Sequence, residues 1–155
     1  MGKLHAIIVG CNYKGSPHPS LNTLRGAERD ARGMYKWVKS SPPPNGELGE
    51  VLLLVGKNAT SASVREVLNK ALDEHFKNVS SEEAEGNDAD TLLFYFSGHG
   101  RRDTTGLTLF TWDDTLHASE LLGILRSNPG RSAVVLDCCH AGAISQSRQL
   151  SDSTP

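Results

Sequence analysis

The chain has few means of stapling itself together. Its 155 residues include three cysteines, and two of them, Cys138 and Cys139, are neighbours. That is no disulfide framework, and it points to a reducing, cytoplasmic setting. Positive charge is not in excess either: the formal net charge is −2. Neither nucleic acid nor an acidic membrane surface is therefore expected as a partner. No apolar run reaches the length of a membrane span, and the first residues lack the charged-then-apolar profile of a signal peptide. Internal repeats are absent. What remains is a composition typical of a globular protein, 37% hydrophobic and 22% charged. The length is one domain's worth, enough to bury a core.

Strand and helix patterns alternate along this chain. His5 to Gly10 is a short apolar run ending in glycine, and Val51 to Val55 is another. Between them Leu24, Ala27, Ala31, Met34 and Val38 recur in steps of three and four, which predicts a helix that the Pro42-Pro43-Pro44 run ends. Thr60 or Ser61 can cap a second helix with Val64, Val67, Leu68, Ala71, Leu72 and Phe76 on its inner face. Ser80 to Asp90 is acidic and reads as an exposed connector. A strand ending at Ser97, a short strand over Leu107 to Phe110, a helix over Ser119 to Arg126 and a strand ending at Asp137 complete the pattern. Such alternation predicts an α/β fold of three layers, a mainly parallel sheet with helices on both faces.

Two strand ends carry the chemistry. Leu92-Leu93-Phe94-Tyr95-Phe96 stops at Ser97-Gly98-His99-Gly100, and Val134-Val135-Leu136 stops at Asp137-Cys138-Cys139-His140-Ala141-Gly142. In an open α/β sheet the carboxyl ends of the strands form the edge where ligands bind. A histidine and a cysteine delivered there are the minimal equipment for nucleophilic catalysis, because a neighbouring imidazole favours the reactive thiolate. Cys138 is expected to point away from its neighbour, and Cys11 to be a core or loop thiol.

These segments resemble the caspase-like cysteine peptidases, and the Asp-x-Cys-His-small-Gly form is similar to their metacaspase branch. Asn12-Tyr13 and the block Leu24-Arg25-Gly26-Ala27-Glu28-Arg29-Asp30-Ala31 resemble that branch too, although Ala27 stands where it often has a cysteine. His99 and Cys139 are about 40 residues apart, against about 50 in the caspase signature. The likeness runs from about residue 4 to 144 and covers the family's large subunit. It implies a catalytic domain over residues 1–144, a polar tail or intersubunit linker over 145–155, and no small-subunit strands. The strand ending at Asp137 would then lie near an exposed edge, and part of the active unit would be absent from this chain.

The resemblance assigns roles to individual residues. Cys139 is the nucleophile and His99 its acid and base, with the backbone amides of Gly100 and Cys139 forming the oxyanion hole. Asp30 and Asp137, with Ser97 beside them, match the pocket that accepts the residue before the cut. Two carboxylates suit a guanidinium, so cleavage after Arg, with Lys second, is expected. Arg148 in the polar tail is a candidate processing site for a zymogen. Expected partners are peptide substrates with Arg or Lys at that position and a small subunit that completes the sheet. No metal or cofactor is expected. Calcium, which some relatives need, is disfavoured because the stretch after His99 offers only Asp103, Asp113 and Asp114, and calcium takes six or more oxygens. The rival reading is a catalytically silent caspase-like scaffold or regulatory domain.

Overall fold

Four apolar strands line up in parallel to make the central sheet. The computed structural model describes residues 2–44, 46–77 and 89–138. It orders the strands β2 (Glu47–Val55), β1 (Lys3–Gly10), β3 (Thr91–Ser97) and β7 (Arg131–Asp137). The two central strands are the most buried: His5 to Gly10 of β1 are all buried, as are Phe94 to Ser97 of β3. Near-continuous apolar runs are what a sheet covered on both faces requires. Helix α1 (Ala27–Ser40) covers one face, packing Ala31 and Val38 on Ala6, Ile8 and Tyr95. Helices α2 (Ser61–His75) and α3 (Ala118–Arg126) cover the other, with Val64, Leu68, Leu121 and Leu125 against Ile7, Val9, Phe94 and Phe96. The expected three layers are thus present. Among the described residues, no helix is long and apolar enough to cross a membrane.

The elements depart from the sequence reading in three places. First, α1 begins at Ala27, not near Leu24. The Leu24 amide instead donates to the Asn12 carbonyl at 2.9 Å. Gly26 precedes the helix without a side chain to cap it. Asn12 supplies the cap from the end of β1: its Oδ1 accepts the Glu28 amide, and the Glu28 carboxylate accepts the Asn12 amide, both at 3.2 Å. Second, β2 starts four residues earlier than its apolar run, because Glu47 and Leu48 pair with Lys3 and Leu4. Third, a small antiparallel sheet of β4 (Gly100–Asp103), β5 (Gly106–Phe110) and β6 (Thr115–His117) stands between β3 and α3. Only β5 was legible. The exposed Arg101, Arg102 and Asp103 of β4 leave no apolar alternation to read. At α2 the expected cap is Thr60, whose Oγ1 accepts the Ser63 amide at 3.1 Å.

Among the described residues β7 is an edge strand, paired only with β3. Val134, Leu136 and Cys138 pack on the core beneath α2 and α3. The residues alternating with them are exposed, Val135 by 42%.

One polar residue interrupts the buried part of β1. His5 is 4% exposed, and its Nδ1 accepts the Glu50 amide at 3.2 Å. Burial pushes its pKa below 6.5, and the neighbouring His75 adds to this; Asp90 and Glu50 act the other way but less strongly. The folded chain therefore holds His5 neutral where the unfolded chain would protonate it. Stability from this site is full above pH 6.5 and falls as the pH drops from 6.5 through the depressed folded value. The melting temperature of the wild type should thus fall on acidification from pH 7 to 5, and that of His5→Gln should fall less. Parallel pH curves would contradict this.

Candidate active site

The strand order places β2 on one side of β1 and β3 on the other, so the chain changes direction between β1 and β3. A crevice outside the carboxyl ends of the strands forms at such a point. Three strands end level there: Ser97 pairs with both Gly10 and Asp137. The Cys11 amide donates to the Ser97 carbonyl at 3.1 Å, and the Gly98 amide to the Asp137 carbonyl at 3.3 Å. His99 follows directly.

The loop between β1 and α1 then folds over His99 and fixes it at three points. Tyr13 is buried and adopts a left-handed backbone, with φ of 63°. Its hydroxyl accepts the His99 amide at 2.7 Å and donates to the Phe110 carbonyl at 2.6 Å. Its ring lies against the His99 ring, with centroids 4.8 Å apart and planes tilted by 34°. From further along the loop, the Asn22 carbonyl lies 2.7 Å from His99 Nε2. A carbonyl only accepts, so Nε2 carries the proton and Nδ1 is left as the basic nitrogen. Burial pushes the Tyr13 phenol far above its ordinary pKa. The hydroxyl stays neutral and can accept and donate at once. Gly98 makes room for it: a Cβ there would lie 2.6 Å from the Tyr13 hydroxyl oxygen and 2.9 Å from the Phe96 ring.

The same loop is tied to the segment after β5. Ser16 Oγ donates to the Trp112 carbonyl at 2.6 Å, and His18 Nε2 lies 3.1 Å from the Thr111 carbonyl. Replacing Tyr13 by phenylalanine would strip partners from the His99 amide and the Phe110 carbonyl. An unsatisfied buried polar group costs about 1–3 kcal/mol, so Tyr13→Phe should melt roughly 2–10 °C lower. An unchanged melting temperature would contradict the bridge.

Of the three residues matched to the specificity pocket, Ser97 and Asp137 stand side by side at the ends of β3 and β7. Tyr95, 4% exposed, sends its hydroxyl toward Asp137 Oδ2 at 3.5 Å. Burial raises its pKa. The hydrogen bond with the Ser97 side chain opposes that rise, while the Asp137 and Asp30 carboxylates add to it. Ser97 is 3% exposed. Asp30 stands in the first turn of α1 with its side chain 43% exposed, 3.6 Å from Arg29 Nε. Tyr95 thus links Ser97 of β3 to Asp137 of β7.

The sequence model of the caspase domain matches residues 3–154. The chain belongs to the caspase-domain family. Its scaffold is that of a peptidase family whose members act on peptides. A similar solved structure is protein GSU0716 from Geobacter sulfurreducens, 22% identical with a TM-score of 0.67. The match covers 97% of this chain and 55% of that one, so the caspase domain here spans about half the length of its neighbour. That likeness concerns the fold alone. None of the curated proteins compared with the chain is significantly similar to it.

Within this caspase domain, Cys139 and Arg148 lie outside the described residues. Gly100 opens β4 opposite Leu109. Cys11 is fully buried, and that burial pushes its thiol up to about 11, which makes it inert. Cys138 is half-buried against the core on the α2 and α3 side, as strand alternation predicts. Two of the acids after His99 are engaged, Asp103 in a turn and Asp113 at the start of α2. Asp103 accepts the Thr105 amide at 2.8 Å and its hydroxyl at 2.6 Å, and Asp113 accepts the Ser61 amide at 3.0 Å. Sequence reading missed Tyr13, Asn22 and Tyr95 as site residues. Asn12-Tyr13 stood in a block resembling the family, but Asn22 acts through its backbone and leaves no side-chain signal.

Proposed function

We propose that the chain is the large-subunit catalytic portion of a metacaspase-like cysteine endopeptidase that cuts after Arg or Lys. The observation that carries this reading is the pinning of His99, with Nε2 bonded to a carbonyl and Nδ1 left basic at the end of β3. The strand paired with β3 ends at Asp137, two residues before Cys139 in sequence.

In this mechanism Nδ1 of His99 takes the Cys139 thiol proton, and the sulfur attacks the scissile carbonyl carbon. The amides of Gly100 and Cys139 receive the developing oxyanion. The His99 proton passes to the leaving amine, which departs as the amine product and leaves a thioester. Water, losing a proton to His99, attacks that thioester, releases the acid and restores the thiol. No metal or cofactor takes part in these steps. A reducing, cytoplasmic compartment would keep the thiol available.

Asp137 and Asp30, with the Ser97 hydroxyl, would bind the guanidinium of the residue before the cut. The exposed edge of β7 would receive strands of a small subunit, and cleavage after Arg148, in the linker over 145–155, would activate the zymogen. A panel of fluorogenic peptides tests the specificity. Turnover of Arg over Lys, and of both over Asp, is expected. Preference for Asp would overturn the pocket, and no turnover of any peptide once the processed chain is joined by its small subunit would favour the silent scaffold.

A further inference from the structure

A second cluster of ionisable groups lies at the other end of the sheet, where β1 and β2 begin. Leu4 pairs with Leu48 and Ala6 with Val51, so both Gly49 and Glu50 stand opposite His5 in a bulge. Bulges re-aim side chains and recur beside functional sites. Here the bulge is shaped to the imidazole: a Cβ on Gly49 would lie 2.6 Å from the His5 ring. The His75 ring, at the end of α2, stacks on His5 with centroids 4.0 Å apart. Glu50 Oε2 lies 3.1 Å from His75 Nε2. Glu74 joins them, and one donor atom from each of Glu50, Glu74 and His75 lies within 4.8 Å of the others. These groups line an open cleft of about 480 Å³ together with Glu47, Asp90 and Lys3.

An ion pair between His75 and Glu50 would account for part of this. It leaves Glu74 adding repulsion, and it leaves His5 unexplained. Because His5 Nδ1 accepts the Glu50 amide, Nε2 carries the ring proton in the neutral form. That N–H has no hydrogen-bond partner among the described residues, and Asp90 Oδ2 stands 3.7 Å away. With Asp90 Oδ2 beyond hydrogen-bond distance, this buried donor facing a carboxylate-lined cleft has room for a closer acceptor.

We propose that Glu50, Glu74 and His75 form a site for a divalent transition metal of the zinc type, with a bound water accepting from His5 Nε2–H. Three protein ligands plus water is a coordination that zinc adopts readily. The imidazole favours such ions over calcium or magnesium, and the four carboxylates of the cleft outweigh its one lysine. The exposed i,i+4 pair of Glu74 with Lys70, at 3.8 Å, contributes little and yields easily. The ion would clip β2 to α2 at the end of the sheet opposite His99, so its effect falls on stability.

The test uses the whole chain after chelator treatment, titrated with Co²⁺ by visible absorption and with Zn²⁺ by calorimetry. One equivalent should bind, without a thiolate charge-transfer band, and Zn²⁺ should raise the melting temperature. Glu74→Gln and His75→Gln should each weaken binding tenfold or more. Glu74 is exposed, so its variant should melt like the wild type without metal. No binding at millimolar Zn²⁺, binding undiminished in both variants, or a thiolate band would each overturn the site.

Discussion

The His99→Ala substitution is expected to lower kcat/KM on an arginyl peptide by about 10³- to 10⁴-fold, the range of a lost general acid and base. The proposed mechanism loses both roles at once. No base remains to take the Cys139 proton, and no acid remains to protonate the leaving amine. The fall should appear in kcat, because the imidazole does not contact the specificity side chain. The fold should survive. The Tyr13 hydroxyl bonds the backbone amide of residue 99, which alanine keeps, and the ring itself is only half-buried. The measurement is kinetics beside thermal unfolding. Full activity in the variant would remove His99 from the mechanism, whereas a large drop in melting temperature would mean that the ring is structural.

Asp137→Asn should cost about 10- to 100-fold in kcat/KM for arginyl peptides, the worth of a charge-assisted hydrogen bond. The loss should fall mainly on KM, since the guanidinium is held alike in ground and transition states. Asp137 should matter more than Asp30. Tyr95 sends its hydroxyl to Asp137 and orients it, whereas Asp30 stands beside Arg29, a competing cation. An Asp30→Asn variant with the larger loss would reverse that ranking. Wild-type rates on Arg peptides in both variants would end the acidic-pocket reading.

The layers of the fold were legible because buried parallel strands have to be apolar runs. Ile7 to Val9 and Phe94 to Phe96 could lie nowhere but in the core. The start of α1 was not legible. Leu24 continues the helical spacing, but the cap comes from Asn12 on another element, and tertiary contact decides where the first turn forms. β4 and β6 were hidden for a related reason: short strands that pair at the surface need no apolar pattern.

The site divides in the same way. His99, Ser97 and Asp137 stand at strand ends, where apolar runs stop and the register fixes their level. Tyr13 escaped because a left-handed conformation leaves no mark in a tyrosine's own identity. The Asn22 carbonyl would have served as well from almost any residue. Tyr95 read simply as core, and its hydroxyl gains meaning from its bond to Asp137.

In the proposed mechanism His99 serves an activated Cys139. Alkylation by an arginyl chloromethyl ketone, followed by peptide mass spectrometry, tests it most directly. One adduct is expected, on Cys139, formed rapidly in the wild type and suppressed by His99→Ala, with Cys11 unmodified. An adduct confined to Cys138, or labelling of Cys139 at the same rate without His99, would contradict it.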